Sequence, residues 1–98
     1  MDPAQKNKFG RAPLEVTAVG YGAAPIGNIF KPISEEEAAA MIKAAWDAGV
    51  RYFDTAPMYG HGLSEARLGA ALRWYPRDQY VISSKVGRIL VPTPCEEI

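Results

Sequence analysis

Three residues of this sequence carry chemistry by their type and spacing: Asp54, Tyr59 and Lys85. The segment RYFDTAPMYGHGLSE, Arg51 to Glu65, runs from a hydrophobic stretch straight into Asp54. Tyr59 follows five positions on, between a proline turn and two glycines. Lys85 stands at the end of a second hydrophobic stretch, YVISS, Tyr80 to Ser84. A phenol has a pKa of about 10 in water, which makes it a poor proton donor at neutral pH. An ammonium group within a few ångströms favours the phenolate and lowers that pKa. A carboxylate paired with the lysine keeps the lysine charged and aimed. The product of such a trio is a tyrosine able to give a proton to a carbonyl oxygen or take one from an alcohol. Residue types alone leave a plainer alternative open, in which the charges at neighbouring strand ends form only a salt bridge and the tyrosine packs in its loop.

The elements that must position these groups follow from the patterning around them. Leu14 to Gly22, LEVTAVGYG, is rich in β-branched residues and broken by glycines, which predicts one or two short strands. A loop with Pro25, Gly27, Asn28 and Pro32 as breakers comes next. Ser34 with Glu37 three positions later forms a capping box, and three glutamates in the first turn suit the positive end of a helix dipole. Ala38, Met41, Ile42, Ala45 and Trp46 recur at the spacing of one buried helical face. Gly49 is placed to end that helix in a left-handed conformation. Val50 to Phe53 reads as a strand, Ser64 as the cap of a second helix through about Trp74 with Leu68, Ala71 and Leu72 inward, and Tyr80 to Ser84 as a third strand.

Strand, helix, strand, helix, strand with short connections implies parallel strands joined by right-handed crossovers. All carboxyl ends then lie on one face of the sheet, where such folds bind ligands and where barrels keep their active sites. Asp54 and Lys85 end neighbouring strands, so both fall on that face.

Composition bounds the rest. A chain of 98 residues holds one core. Eleven basic and eleven acidic residues balance, with no basic stripe, which argues against a nucleic-acid partner. Lys6 and Lys8 read as part of a solvated, frayed terminus. The single cysteine, Cys95, excludes an internal disulfide and a metal site of several thiolates. No apolar run approaches the ~18 residues of a membrane span, and MDPAQKNK lacks the apolar core of a secretory signal, so a cytoplasmic location is expected. Gly20, Gly22 and Gly27 do not make a dinucleotide fingerprint, because the third glycine follows the second by five positions and the helix waits until Ser34. His61, the one histidine, reads as a surface residue of a glycine loop or as a substrate contact.

Taken together, these motifs resemble the aldo-keto reductases. FDTAPMYGHGLSEARLGAAL, Phe53 to Leu72, is similar to that family's strand-two aspartate, loop tyrosine and following helix. VISSKVG, Val81 to Gly87, is similar to its strand-three lysine motif, and VGYGAAPIGN, Val19 to Asn28, to its first barrel strand and loop. APIGN, AAWDAGVRYFDTAP, GLSEARLG and KVGRIL together look closest to the sugar 1-dehydrogenase branch, which includes L-fucose and D-threo-aldose dehydrogenases, with pyridoxal 4-dehydrogenase a near relative.

The resemblance implies a (β/α)8 barrel that binds NAD or NADP extended, and hydride transfer with a sugar lactol or an aldehyde. It implies Tyr59 as general acid/base, Lys85 as its partner and Asp54 as the partner of Lys85. It puts the backbone of Gly22 and Ala23 near the nicotinamide and leaves Tyr21, Met58 and His61 to wall a substrate pocket. A non-catalytic, nucleotide-binding barrel subunit is the alternative within the same family. A barrel takes about 250 residues, so the chain is expected to be the N-terminal part: a bottom hairpin, three strands and two helices. The resemblance also implies a catalytic histidine at the end of strand four, and this chain is expected to stop before it. Three strands with bare edges and uncovered apolar surface are expected to need the rest of the barrel as a partner.

Overall fold

A computed structural model describes residues 2–97. Five short strands and two helices follow one another in the order β1 (Lys6–Lys8), β2 (Glu15–Thr17), β3 (Tyr21–Gly22), α1 (Glu35–Asp47), β4 (Tyr52–Asp54), α2 (Leu63–Leu72) and β5 (Val81–Ser83). Strands β1 and β2 form an antiparallel hairpin, with Lys6 opposite Thr17 and Lys8 opposite Glu15. Lys6 and Lys8 therefore belong to a strand, not to a frayed end: Asp2 and Gln5 tie the segment down through a turn and through the 2.6 Å bond from the Ala18 amide to the Gln5 carbonyl.

Strands β3, β4 and β5 form a parallel sheet in that order. Its register sets Gly22 beside Asp54 and Asp54 beside Ser83. Among the described residues no strand pairs with the outer edge of β3 or of β5.

Helix α1 starts as its sequence dictates. The Ser34 hydroxyl accepts from the Glu37 amide, and the Glu37 carboxylate accepts from the Ser34 amide, which closes the capping box. At the other end Gly49 adopts φ 98°. The Gly49 amide reaches the Trp46 carbonyl and the Val50 amide reaches the Ala45 carbonyl, a Schellman pattern that returns the chain to the sheet. Ala38 and Ile42 are buried and Ala45 and Trp46 are partly covered, as the spacing predicts. Met41, expected inward with them, is exposed, because it sits at the margin of the apolar stripe.

Helix α2 differs from its sequence reading. Its cap is Gly62, at φ 92°, and Ser64 is the second helical residue and fully buried. Gly60, His61 and Gly62 are left-handed in succession, which turns the chain so sharply that the helix begins before the serine can cap it. The helix closes at Leu72, two residues short of the expected Trp74, and Trp74 lies exposed.

The core sits between the sheet and the helices. Phe53, Ile26, Ile42, Leu68 and Leu72 are its largest fully buried apolar side chains. Each contributes on the order of 1.5–3 kcal/mol of burial. At the amino ends of the strands Trp46 stacks on Tyr75 with ring centroids 3.8 Å apart, and the Arg51 guanidinium lies 3.6 Å from the Trp46 ring. No helix among the described residues is long and apolar enough to cross a membrane.

Candidate active site

The carboxyl ends of β4 and β5 bring Asp54 and Lys85 together. Lys85 Nζ donates to Asp54 Oδ2 at 3.1 Å and to the Thr55 carbonyl at 2.9 Å. The other carboxylate oxygen, Asp54 Oδ1, accepts from the Ser83 hydroxyl at 2.6 Å. Ser83 Oγ is in turn 2.9 Å from the Tyr52 hydroxyl. Because the serine proton is given to the carboxylate, Tyr52 is the donor to Ser83.

Alternation along the strands explains this grouping. Tyr52 and Asp54 are two residues apart and share a face of β4, and Ser83 is the register partner of Asp54 on β5. The Ser83 hydrogen bond, followed by the Lys85 ammonium, holds the Asp54 carboxyl below its ordinary range against an opposing effect of burial. Lys85 is raised, first by its hydrogen bond to Asp54, then by the Asp54 charge and more weakly by Tyr59.

Tyr59 reaches this pair from the loop after β4. Its ring centroid is 5.1 Å from Lys85 Nζ. The loop is a series of tight turns, with the Tyr59 amide bonded to the Ala56 carbonyl and the Gly62 amide to the Pro57 carbonyl. The Tyr59 carbonyl accepts from the Ser64 amide at 3.1 Å, which ties the tyrosine to the first turn of α2. On its other side it abuts the 3₁₀ turn Ala24–Gly27. A Cβ on Gly27 would lie 2.5 Å from the Tyr59 carbonyl oxygen, and a Cβ on Gly60 would collide with the Gly27 carbonyl. The two loops meet backbone to backbone, and only glycine permits that approach.

Tyr59 and Lys85 face a cleft of about 300 Å³, lined also by Ala56, Pro57, Met58, Val86 and Arg88. Gly22 and Ala23 lie beside Asp54 at the end of β3: Gly22 is its register partner and the Ala23 amide bonds to the Asp54 carbonyl at 2.8 Å. Gly22 faces open space, with no atom within 4 Å of where a Cβ would stand.

The residues singled out for a substrate wall separate. Met58 lines the cleft and is exposed. His61 is in the left-handed region at φ 54°, and its Nε2 is 2.9 Å from the Val91 carbonyl, which ties the loop after β5 to the Tyr59 loop. Tyr21 shares the face of Phe53, its ring centroid 6.2 Å from that of Phe53, and packs against the core; burial raises its pKa. The structure thus brings Asp54, Tyr59, Lys85 and Met58 to one place and sets Tyr21 apart.

The sequence by itself does not mark Ser83, Tyr52 or Thr55 as site residues. The signal for the first two was present in the period of two that places Tyr52 on the face of Asp54. Thr55 contributes through its carbonyl, which any residue carries, so nothing in its side chain announces it.

A carboxylate, an ammonium and a phenol are gathered at the carboxyl ends of the parallel strands of an α/β fold. Residues 18–96 match the aldo/keto reductase family, and the chain belongs to it. The chain is 59% identical over 85% of its length to a D-threo-aldose 1-dehydrogenase of Pseudomonas sp. It is 49% identical over 89% of its length to a pyridoxal 4-dehydrogenase of Microbacterium luteolum. In each case it spans about a quarter of the relative's length: 25% of the former and 25% of the latter. Among solved structures, an aldo-keto reductase of Bacillus halodurans in its holo form superposes with a TM-score of 0.75 at 28% identity, over 86% of this chain and 26% of that one. The sheet β3–β4–β5 with α1 and α2 is accordingly the N-terminal portion of a (β/α)8 barrel, and the β1–β2 hairpin precedes its first strand.

Proposed function

We propose that this chain supplies the proton-transfer group of an NAD(P)-dependent oxidoreductase acting on a sugar lactol or an aldehyde, and that the activity resides in a complete barrel. One observation carries this reading: Lys85 Nζ stands 3.1 Å from Asp54 Oδ2 and 5.1 Å from the Tyr59 ring centroid, at the mouth of a cleft. The ammonium so placed stands beside the phenol, and both face the cleft. Tyr59 is then able to protonate a carbonyl oxygen in reduction, or to accept the hydroxyl proton of an alcohol or lactol in oxidation. Asp54, locked through both oxygens, keeps the ammonium charged and aimed.

The residues present fit a nicotinamide at the strand ends. Gly22 offers an uncovered stretch of backbone next to Asp54, and the Ala23 amide is bonded to the Asp54 carbonyl, so these residues would hold the nicotinamide end of the cofactor. When bound, the nicotinamide supplies or receives the hydride. The names of the relatives, an aldose dehydrogenase and a pyridoxal dehydrogenase, support a small carbonyl or lactol substrate.

The test is nicotinamide absorbance in the full-length protein with NAD and with NADP, using L-fucose, D-arabinose and pyridoxal as trial substrates. Nucleotide reduction or oxidation that disappears in Tyr59→Phe supports the reading. Undiminished turnover in that variant would overturn it.

A further inference from the structure

The Tyr52–Ser83 hydroxyl pair has no part in the proton transfer just described, yet it ends on Asp54. The direction of every hydrogen atom in it is fixed by chemistry. Asp54 Oδ1 is only an acceptor, so Ser83 donates to it at 2.6 Å; the one remaining donor is the Tyr52 hydroxyl, 2.9 Å from Ser83 Oγ. The run ends on the oxygen that Lys85 does not use, since Lys85 takes Oδ2 at 3.1 Å.

A carboxylate at a strand end has two side-chain torsions to fix. A single contact to Lys85, which is half-exposed, leaves the carboxylate free to rotate and the Thr55 carbonyl as the lysine's one fixed partner. A second contact to a neighbouring strand removes that freedom. Ser83 is the register partner of Asp54, and Tyr52 spans from β4 back to β5, so the three side chains bridge the same two strands twice.

We propose that Ser83, backed by Tyr52, is a positioning residue for the Asp54–Lys85 pair: it pins one carboxylate oxygen so that the other holds the lysine against Tyr59. The proposal rests on the reading of Tyr59 as the acid/base group. It adds a requirement that this reading does not contain, namely that a serine hydroxyl two residues before the lysine sets where the lysine points. Threonine carries the same hydroxyl on the same backbone and fulfils the role. Alanine and valine do not.

The experiment compares Ser83→Ala, Ser83→Thr and Tyr52→Phe in the full-length protein. The readouts are kcat, KM, the pH dependence of kcat, and the titration of the Asp54 carboxyl by carbon NMR. Ser83→Ala is expected to lower kcat by about tenfold with little change in KM, the size of one lost hydrogen bond to a charged group. It is also expected to raise the pH at which Asp54 titrates and to shift the kcat profile. Ser83→Thr is expected to restore both, and Tyr52→Phe to move them in the same direction by less.

An Asp54 titration unmoved in Ser83→Ala overturns the proposal. So does a moved titration with an unmoved kcat profile, because the serine then holds the carboxylate without serving catalysis. Tyr59→Phe is the separate control. Full activity there defeats the acid/base reading whatever Ser83 does, while the Asp54 titration still decides whether Ser83 pins the carboxylate.

Discussion

Gly27 and Tyr59 touch backbone to backbone, so close that a methyl group on Gly27 would stand 2.5 Å from the Tyr59 carbonyl oxygen and 2.7 Å from its carbonyl carbon. The loop after the first barrel strand is therefore the floor on which the candidate acid/base residue rests. Gly27→Ala is expected to displace the Tyr59 turn, since the obstacle is backbone and not the end of a flexible side chain. A loss of about 2 kcal/mol in stability is anticipated for such overpacking, with kcat falling more than KM rises. Thermal melts and steady-state kinetics of the full-length protein decide it. A crystal structure of the variant with Tyr59 unmoved would speak against the floor.

The Asp54–Lys85 pair sets a pH window. Asp54 is lowered in the folded protein, so its contribution to stability is present above the pKa of an unfolded aspartate and is lost as pH falls through the folded value. Lys85 is raised, so its contribution is present below the pKa of an unfolded lysine and is lost as pH rises through the folded value. The wild type is thus expected to gain on Asp54→Asn across neutral pH and to converge with it in strong acid. Melting temperatures of the two proteins measured from acid to alkaline pH test the sign.

Arg67 fastens the floor loop from the other side. Its guanidinium donates to the carbonyls of Ile26 and Ile33 at 3.0 Å each, to Asn28 Oδ1 at 3.2 Å and to Glu35 Oε1 at 2.7 Å, with only 9% of its side chain exposed. A lysine has the charge but not the planar fork. Arg67→Lys is expected to cost about 2–3 kcal/mol, from carbonyls left without partners. Hydrogen exchange is expected to speed up in residues 24–33 before it does in α1. Uniform protection across both would refute the clasp.

The isolated 98-residue chain is expected not to melt cooperatively and to show no turnover. The outer edges of β3 and β5 are unpaired among the described residues, and Val86 and Ile89 expose 99% and 90% of their surface. Open strand edges and bare apolar groups favour association over a stable monomer. Calorimetry on the isolated chain and on the full-length protein, side by side, provides the comparison.

Much of this arrangement was legible in the sequence, and the parts that were not share a cause. The capping box at Ser34 and the left-handed Gly49 are local signals, and the structure honours both. The order of strands and helices and the placing of Asp54 and Lys85 on one face follow from topology alone. Ser64 misled because its hydroxyl reads locally as a cap, whereas the Ala23 carbonyl and Thr55, distant in sequence, claim it. Lys6 and Lys8 are solvated, as their charge suggests, but not frayed, because the partner that makes them a strand lies at Glu15–Thr17. Ser83 is not legible as a site residue, because a serine in a strand is chemically quiet until its register partner proves to be a carboxylate.

The buried pair of Thr55 and Ser64 has an implication for how such sequences diverge. Ser64 gives its proton to the Ala23 carbonyl at 2.8 Å and receives the one from Thr55 at 2.7 Å, so three chain segments are joined through two hydroxyls. Removing Ser64 alone strands both the threonine proton and the carbonyl, whereas removing Thr55 alone leaves the serine bonded. Drift at these two sites should thus have an order, with the threonine free to go first and the serine kept as long as the backbone of Ala23 still turns inward.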